Sequence, residues 1–79
     1  MIFGKQVDLA NNFRLVRIAE GKTLEFVAEA TGVSKTYVSF VENGQKKPSD
    51  KYIKSFCGAF GIRESTFRSK TAEIKLNWK

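Results

Sequence analysis

The sequence predicts an all-α domain of five short helices, and three observations predict it. Apolar residues recur at spacings of three and four through most of the chain, the mark of one buried helix face. The first four of these stretches are each closed by a glycine, and three of them open on a Ser or Thr suited to an N-cap. The two-residue alternation of a strand reads clearly only in the tail, at Ile74, Leu76 and Trp78. With 79 residues there is room for one small domain and a compact core.

Helix one is expected over residues 7–20, where Leu9, Phe13 and Val16 form the inner stripe and Gly21 ends it. Thr23 caps the second, residues 24–31, in which Val27 and Ala28 turn inward, Glu25 suits the positive helix end, and Gly32 stops the run. Only Gly32 and Val33 separate that stop from Ser34, which caps a third helix reaching Asn43 before Gly44. Two short helices therefore meet across a tight turn. Pro48 and Ser49 mark a loop and a cap before helix four, whose inner face is Ile53, Phe56 and Phe60 and whose stop is Gly61. A weaker fifth turn spans residues 64–68. The tail's alternating residues suggest a strand whose partner is the same tail on a second copy; a short helix or an ordered coil packing Trp78 on the core is the alternative.

Composition narrows the function. Fourteen Lys and Arg against eight Asp and Glu give a net charge of +6, which favours an acidic polymer or surface as partner without choosing among nucleic acid, membrane and protein. One cysteine forms no internal disulfide, and the absence of histidine removes the usual general base and the commonest neutral metal ligand. No nucleophile-base pair, carboxylate pair or phosphate loop is visible, so an enzyme is not expected, nor a metal or cofactor. Residues 1–5 lack a signal-peptide pattern, and no segment approaches the roughly 20 apolar residues that span a bilayer. A soluble, cytoplasmic, nucleoid-associated protein is the expectation.

On a helical wheel, residues 34–43 place Val38 and Val41 on one face with Tyr37 beside them, and Lys35, Thr36, Ser39, Phe40 and Asn43 on the other. Such an outer face can enter a major groove, where Lys reaches guanine acceptors and Ser or Thr meets base edges or thymine methyls. Taken alone, it reads more readily as an ordinary solvated surface. The run from Thr23 to Gly44, with its Gly32-Val33-Ser34 turn, Ala28, Val38 and the Glu42-Asn43-Gly44 triplet, followed by Lys47-Pro48-Ser49, resembles the Cro/C1-type helix-turn-helix regulators, the xenobiotic-response-element group. The resemblance covers residues 13–62. It implies a lambda-repressor-like DNA-binding domain, expected over residues 6–68; residues 69–79 are then a C-terminal extension, in which the alternating tail is the candidate dimerisation strand.

By that resemblance Arg17 and Glu42 match an internal ion pair, and a partly buried charge-assisted bond there would set the tilt of helix three. Lys35, Thr36, Ser39 and Phe40 become the base-facing candidates. Leu24, Asn43, Lys46 and Lys47 become the candidates for the sugar-phosphate backbone. Two departures stand out. Leu24 occupies a position where relatives often carry a backbone-contacting Gln, and Phe40 stands where many carry Arg, Lys or Gln. Phe40 suits thymine methyls, the sugar-phosphate wall, a protein partner, or half-burial against helix four. Asp50 favours the dipole of helix four but repels phosphate, which weakens that helix end as a clamp. Cys57 reads as a small core residue. Gly58 to Gly61 has the spacing of an RNA-binding GXXG loop, but both glycines fall in or just after a helix, where that loop cannot form.

The expected function is a sequence-specific regulator of transcription that binds duplex DNA. It is expected to act as a homodimeric repressor on a pseudo-palindromic site with half-sites about 10 base pairs apart. The rival is a protein-interaction module on the same fold, antitoxin-like or phage-type, holding a protein partner through Phe40, Leu24 and the basic tail.

Overall fold

The computed structural model describes residues 8–69, and the strand expected in the tail lies outside them. Among the described residues there are five helices and no strand: α1 (Leu9–Ala19), α2 (Leu24–Thr31), α3 (Lys35–Glu42), α4 (Asp50–Phe60) and α5 (Glu64–Ser69). The first begins two residues later than the expected range 7–20, at the first residue of its apolar stripe, because Asp8 takes the N-cap and accepts from the Asn11 N–H at 3.1 Å. The fifth continues one residue past Arg68. None of these helices is long and apolar enough to cross a membrane.

Local chemistry sets the other ends. Thr23, Ser34 and Ser49 each accept, through the side-chain oxygen, a backbone N–H three residues on at 3.0 Å. Gly32 closes α2 with φ 76°, a left-handed conformation that glycine adopts without the Cβ penalty. There its N–H and that of Val33 both donate to the Ala28 carbonyl, and α3 starts three residues later.

The inner faces meet in one core. Phe13 and Val16 from α1, Val27 and Ala28 from α2, Val38 and Val41 from α3, and Tyr52, Ile53, Phe56, Cys57 and Phe60 from α4 are all buried, with Ile62 and Phe67 closing the base. Aromatic rings fill its centre: Phe13 meets Phe56 edge-on at 4.8 Å and Phe67 at 4.8 Å, and Phe56 meets Phe60 at 4.6 Å. Burial pushes the Cys57 thiol up to about 11, so it sits in this core as a neutral thiol. Asn12 is fully buried among these apolar groups, and its Nδ2 donates to the Phe67 carbonyl at 3.0 Å, tying α1 to α5. Gly58 lies inside α4 and Gly61 is its left-handed C-cap, so neither forms an exposed loop.

This packing leaves α3 supported from behind by α1 and α2, while its other side faces out.

Candidate nucleic-acid interface

The apolar face of α3 is seated by Val38 and Val41, both wholly buried. The 3.6-residue period then carries Lys35, Thr36, Phe40 and Asn43 to the outside, with Ser39 at the half-buried margin. All four base-facing candidates therefore share one surface of one helix. Phe40 is 43% exposed, which leaves a large part of its ring open on this surface.

A buried charge fixes that helix. Glu42 ends α3 with its side chain only 5% exposed, and Arg17 of α1 grips both of its oxygens, Nε to Oε2 at 2.8 Å and Nη2 to Oε1 at 3.0 Å. The remaining Arg17 amino group, Nη1, donates to the Lys22 carbonyl at 3.0 Å. One guanidinium thus joins the end of α1, the loop after it and α3. The bond to Glu42 raises the Arg17 pKa further above its ordinary value, against the opposing effect of burial. A fork-to-fork pair constrains orientation as well as distance, so the outer face of α3 is presented at one angle.

The backbone candidates follow directly. Asn43 is the C-cap of α3, and Gly44 at φ 76° turns the chain so that the N–H groups of Gln45 and Lys46 both donate to the Phe40 carbonyl, at 2.9 and 3.3 Å. The far end of this loop is anchored by the Ser49 N–H, which donates to the Tyr37 hydroxyl at 3.1 Å. Lys46 stands over the Tyr37 ring at 6.0 Å, and Lys47 is exposed beside it in the chain. Leu24 differs from these in kind. Its side chain packs against the core, which leaves its backbone N–H, at the start of α2, as the group it offers.

Two pairings here carry no periodic signal in the sequence. Glu25, in the first turn of α2, and Lys35, in the first turn of α3, form an ion pair at 2.9 Å, which brings the N-terminal turns of both helices together. At the start of α4, Asp50 accepts from Arg68 at 3.1 Å, with Glu64 3.8 Å from the same amino group. Arg68 is therefore engaged with acidic side chains within the fold.

A family model described as helix-turn-helix matches residues 13–67. The transcriptional regulator ClgR of Mycobacterium tuberculosis is 37% identical over 49 residues, 62% of this chain and 44% of that protein, so the chain spans less than half the length of this curated relative. Among solved structures, the restriction-modification controller protein C.AhdI from Aeromonas hydrophila is similar with a TM-score of 0.72 at 30% identity, over 77% of this chain and 92% of that one. A hypothetical transcription factor, NHTF from Neisseria, is similar with a TM-score of 0.71 at 25% identity, over 86% of each chain.

Proposed function

The chain belongs to the Cro/C1-type helix-turn-helix family of DNA-binding transcriptional regulators, and from that premise we propose that it acts as a homodimeric repressor on a pseudo-palindromic operator. In this reading α3 enters the major groove, and Lys35, Thr36, Ser39 and Phe40 meet base edges. Asn43, Lys46, Lys47 and the Leu24 N–H follow the sugar-phosphate backbone. Residues 6–68 form the DNA-binding unit, residues 69–79 pair two copies, and repression follows where the operator overlaps a promoter. The protein works in the cytoplasm, on the nucleoid, and needs no cofactor.

The observation that carries the reading is the orientation of α3. A helix that only solvates a surface needs no fixed angle, whereas a groove-reading helix must present its donors within a fraction of an ångström. The bidentate Arg17–Glu42 pair supplies that constraint.

The test is selection of bound duplexes from a random-sequence pool, followed by a salt titration of the winner. The reading expects an inverted repeat with half-sites about one helical turn apart and an affinity that falls with salt. Uniform, salt-sensitive binding with no enriched sequence overturns it.

The exposure of Phe40 favours one second reading, in which the same face holds a protein. Substitution separates the two. Loss of sequence preference in Lys35→Ala and Ser39→Ala supports groove reading, while loss of regulation in Phe40→Ala with DNA affinity intact supports the partner.

A further inference from the structure

Lys35 is the only cation on the outer face of α3; Thr36, Ser39, Phe40 and Asn43 are neutral. It also stands in the first turn of that helix, where the positive end of the macrodipole disfavours a cation. An unpaired lysine there would be a hydrated point charge on a flexible stem, attracted to any phosphate whatever the sequence. The fold instead places the Glu25 carboxylate 2.9 Å from the ammonium, across the turn from α2. Both groups remain open to solvent, with side chains 57% and 62% exposed, so the pair is reachable by a ligand.

We propose that Glu25 is a positioning residue for base reading: it holds the Lys35 ammonium at the start of α3 and keeps its charge from being spent on phosphates. The inference rests on the groove-reading role of α3 argued above and assigns its discrimination to a residue outside that helix. A lysine ammonium has three donors. Glu25 occupies one and leaves two, the number that the O6 and N7 acceptors of one guanine can take in the major groove. The pair as a whole is neutral, so it adds little to sequence-independent attraction while presenting two directed donors.

Glu25 is itself well placed for the task. It lies in the first turn of α2, where the helix dipole favours a negative charge. The Lys35 hydrogen bond, then its own backbone N–H, hold its carboxyl below the usual carboxylate range, so it is ionised at neutral pH.

The experiment compares wild type, Glu25→Gln, Lys35→Ala and the double variant on two duplexes: the winner of the random-pool selection and a scrambled duplex of the same composition. Glu25→Gln keeps the shape and an acceptor but removes the charge, and because the site is exposed the variant folds, which a thermal melt verifies. The expected result is tighter binding of the scrambled duplex, a salt slope steeper by about 0.9 as Lys35 moves to a phosphate, and a preference for the selected duplex reduced by about tenfold. In the Lys35→Ala background, where that preference is already lost, the same change leaves the scrambled-duplex affinity and the salt slope unaltered.

An unchanged slope and preference in Glu25→Gln overturn the inference while leaving groove reading in place. Tighter binding of the scrambled duplex or a steeper slope that persists without Lys35 also overturns it, because Glu25 would then act directly. Wild type with no preference for any duplex overturns the groove reading itself, and the inference with it.

Discussion

The half of the molecule built by α1, α4 and α5 and the half that presents α2 and α3 are held together by different physics. In the first, Phe13, Phe56 and Phe67 meet one another at 4.8 to 5.6 Å with no solvent exposure, so each ring is constrained by several others. In the second, two eight-residue helices are seated mainly by Val27, Ala28, Val38 and Val41, with Tyr37 edge-on to Tyr52 at 5.1 Å, and the forked Arg17–Glu42 pair ties the end of α3 to α1. Dispersion and burial are non-directional and tolerate small shifts, whereas a forked ion pair is directional. Stability is thus concentrated behind the candidate interface, and angular precision is concentrated at it.

The sharpest way to break this contrast is to remove a ring from the first half. Phe56→Ala deletes the side chain touching Phe13, Phe60 and Phe67, at an expected cost of about 3 to 5 kcal/mol. A domain of this size holds only about 4 to 12 kcal/mol in total, so the denaturant midpoint should fall by about a quarter or more, and to near zero at the low end of that range. A loss below about 1 kcal/mol would mean that the aromatic cluster is not the main source of stability.

The second half should respond differently to a loss of similar kind. Arg17→Ala leaves the nearly buried Glu42 carboxylate without its partner, and the expected cost is about 3 kcal/mol. Adding Glu42→Gln to that variant should recover part of the loss, since a neutral amide is cheaper to bury than an unpaired charge. The recovered protein should still discriminate poorly among DNA sequences, because the angular constraint is gone. If discrimination returned along with stability, the pair would be no more than packing. Denaturation and duplex binding on the same three proteins check both halves of the statement.

Those differences also decide how much was legible beforehand. The helices and their ends were readable from Thr23, Ser34, Ser49 and the glycine stops, because caps act within three or four residues of chain. The outer face of α3 was readable for the same reason, since one helical period assigns Val38 and Val41 inward and Lys35, Thr36 and Phe40 outward. Asn12 was not: a polar residue beside an apolar stripe reads as solvent-facing, and only the arrival of α5 gives its amide the Phe67 carbonyl. Nor was the Glu25–Lys35 pair, which joins residues ten apart on two helices and depends on the angle of the turn between them. Glu25 alone was readable only as an acid that suits a helix start.

Asn12 offers the next, smaller test. Asn12→Ala removes a buried hydrogen bond between α1 and α5, for an expected loss of about 1 to 2 kcal/mol. That α1–α5 contact lies away from α3, so duplex preference should be unchanged once measurements are made well below the melting temperature. A change in preference without a change in stability would show that the two halves are not mechanically separate.

The smallest effect is expected at Arg68, and its smallness is informative. Its amino group is 3.1 Å from Asp50 and 3.8 Å from Glu64, yet the Asp50 side chain is almost wholly exposed. Solvent and salt screen such a pair, so Arg68→Ala should shift stability by less than about 0.5 kcal/mol. It does release Asp50 at the first turn of α4, where an uncompensated carboxylate repels any phosphate brought near. Weaker binding of every duplex alike, with stability and preference both intact, would place the start of α4 near the DNA backbone. An unchanged affinity would remove α4 from the interface and leave α2, α3 and the Lys46–Lys47 loop to carry it.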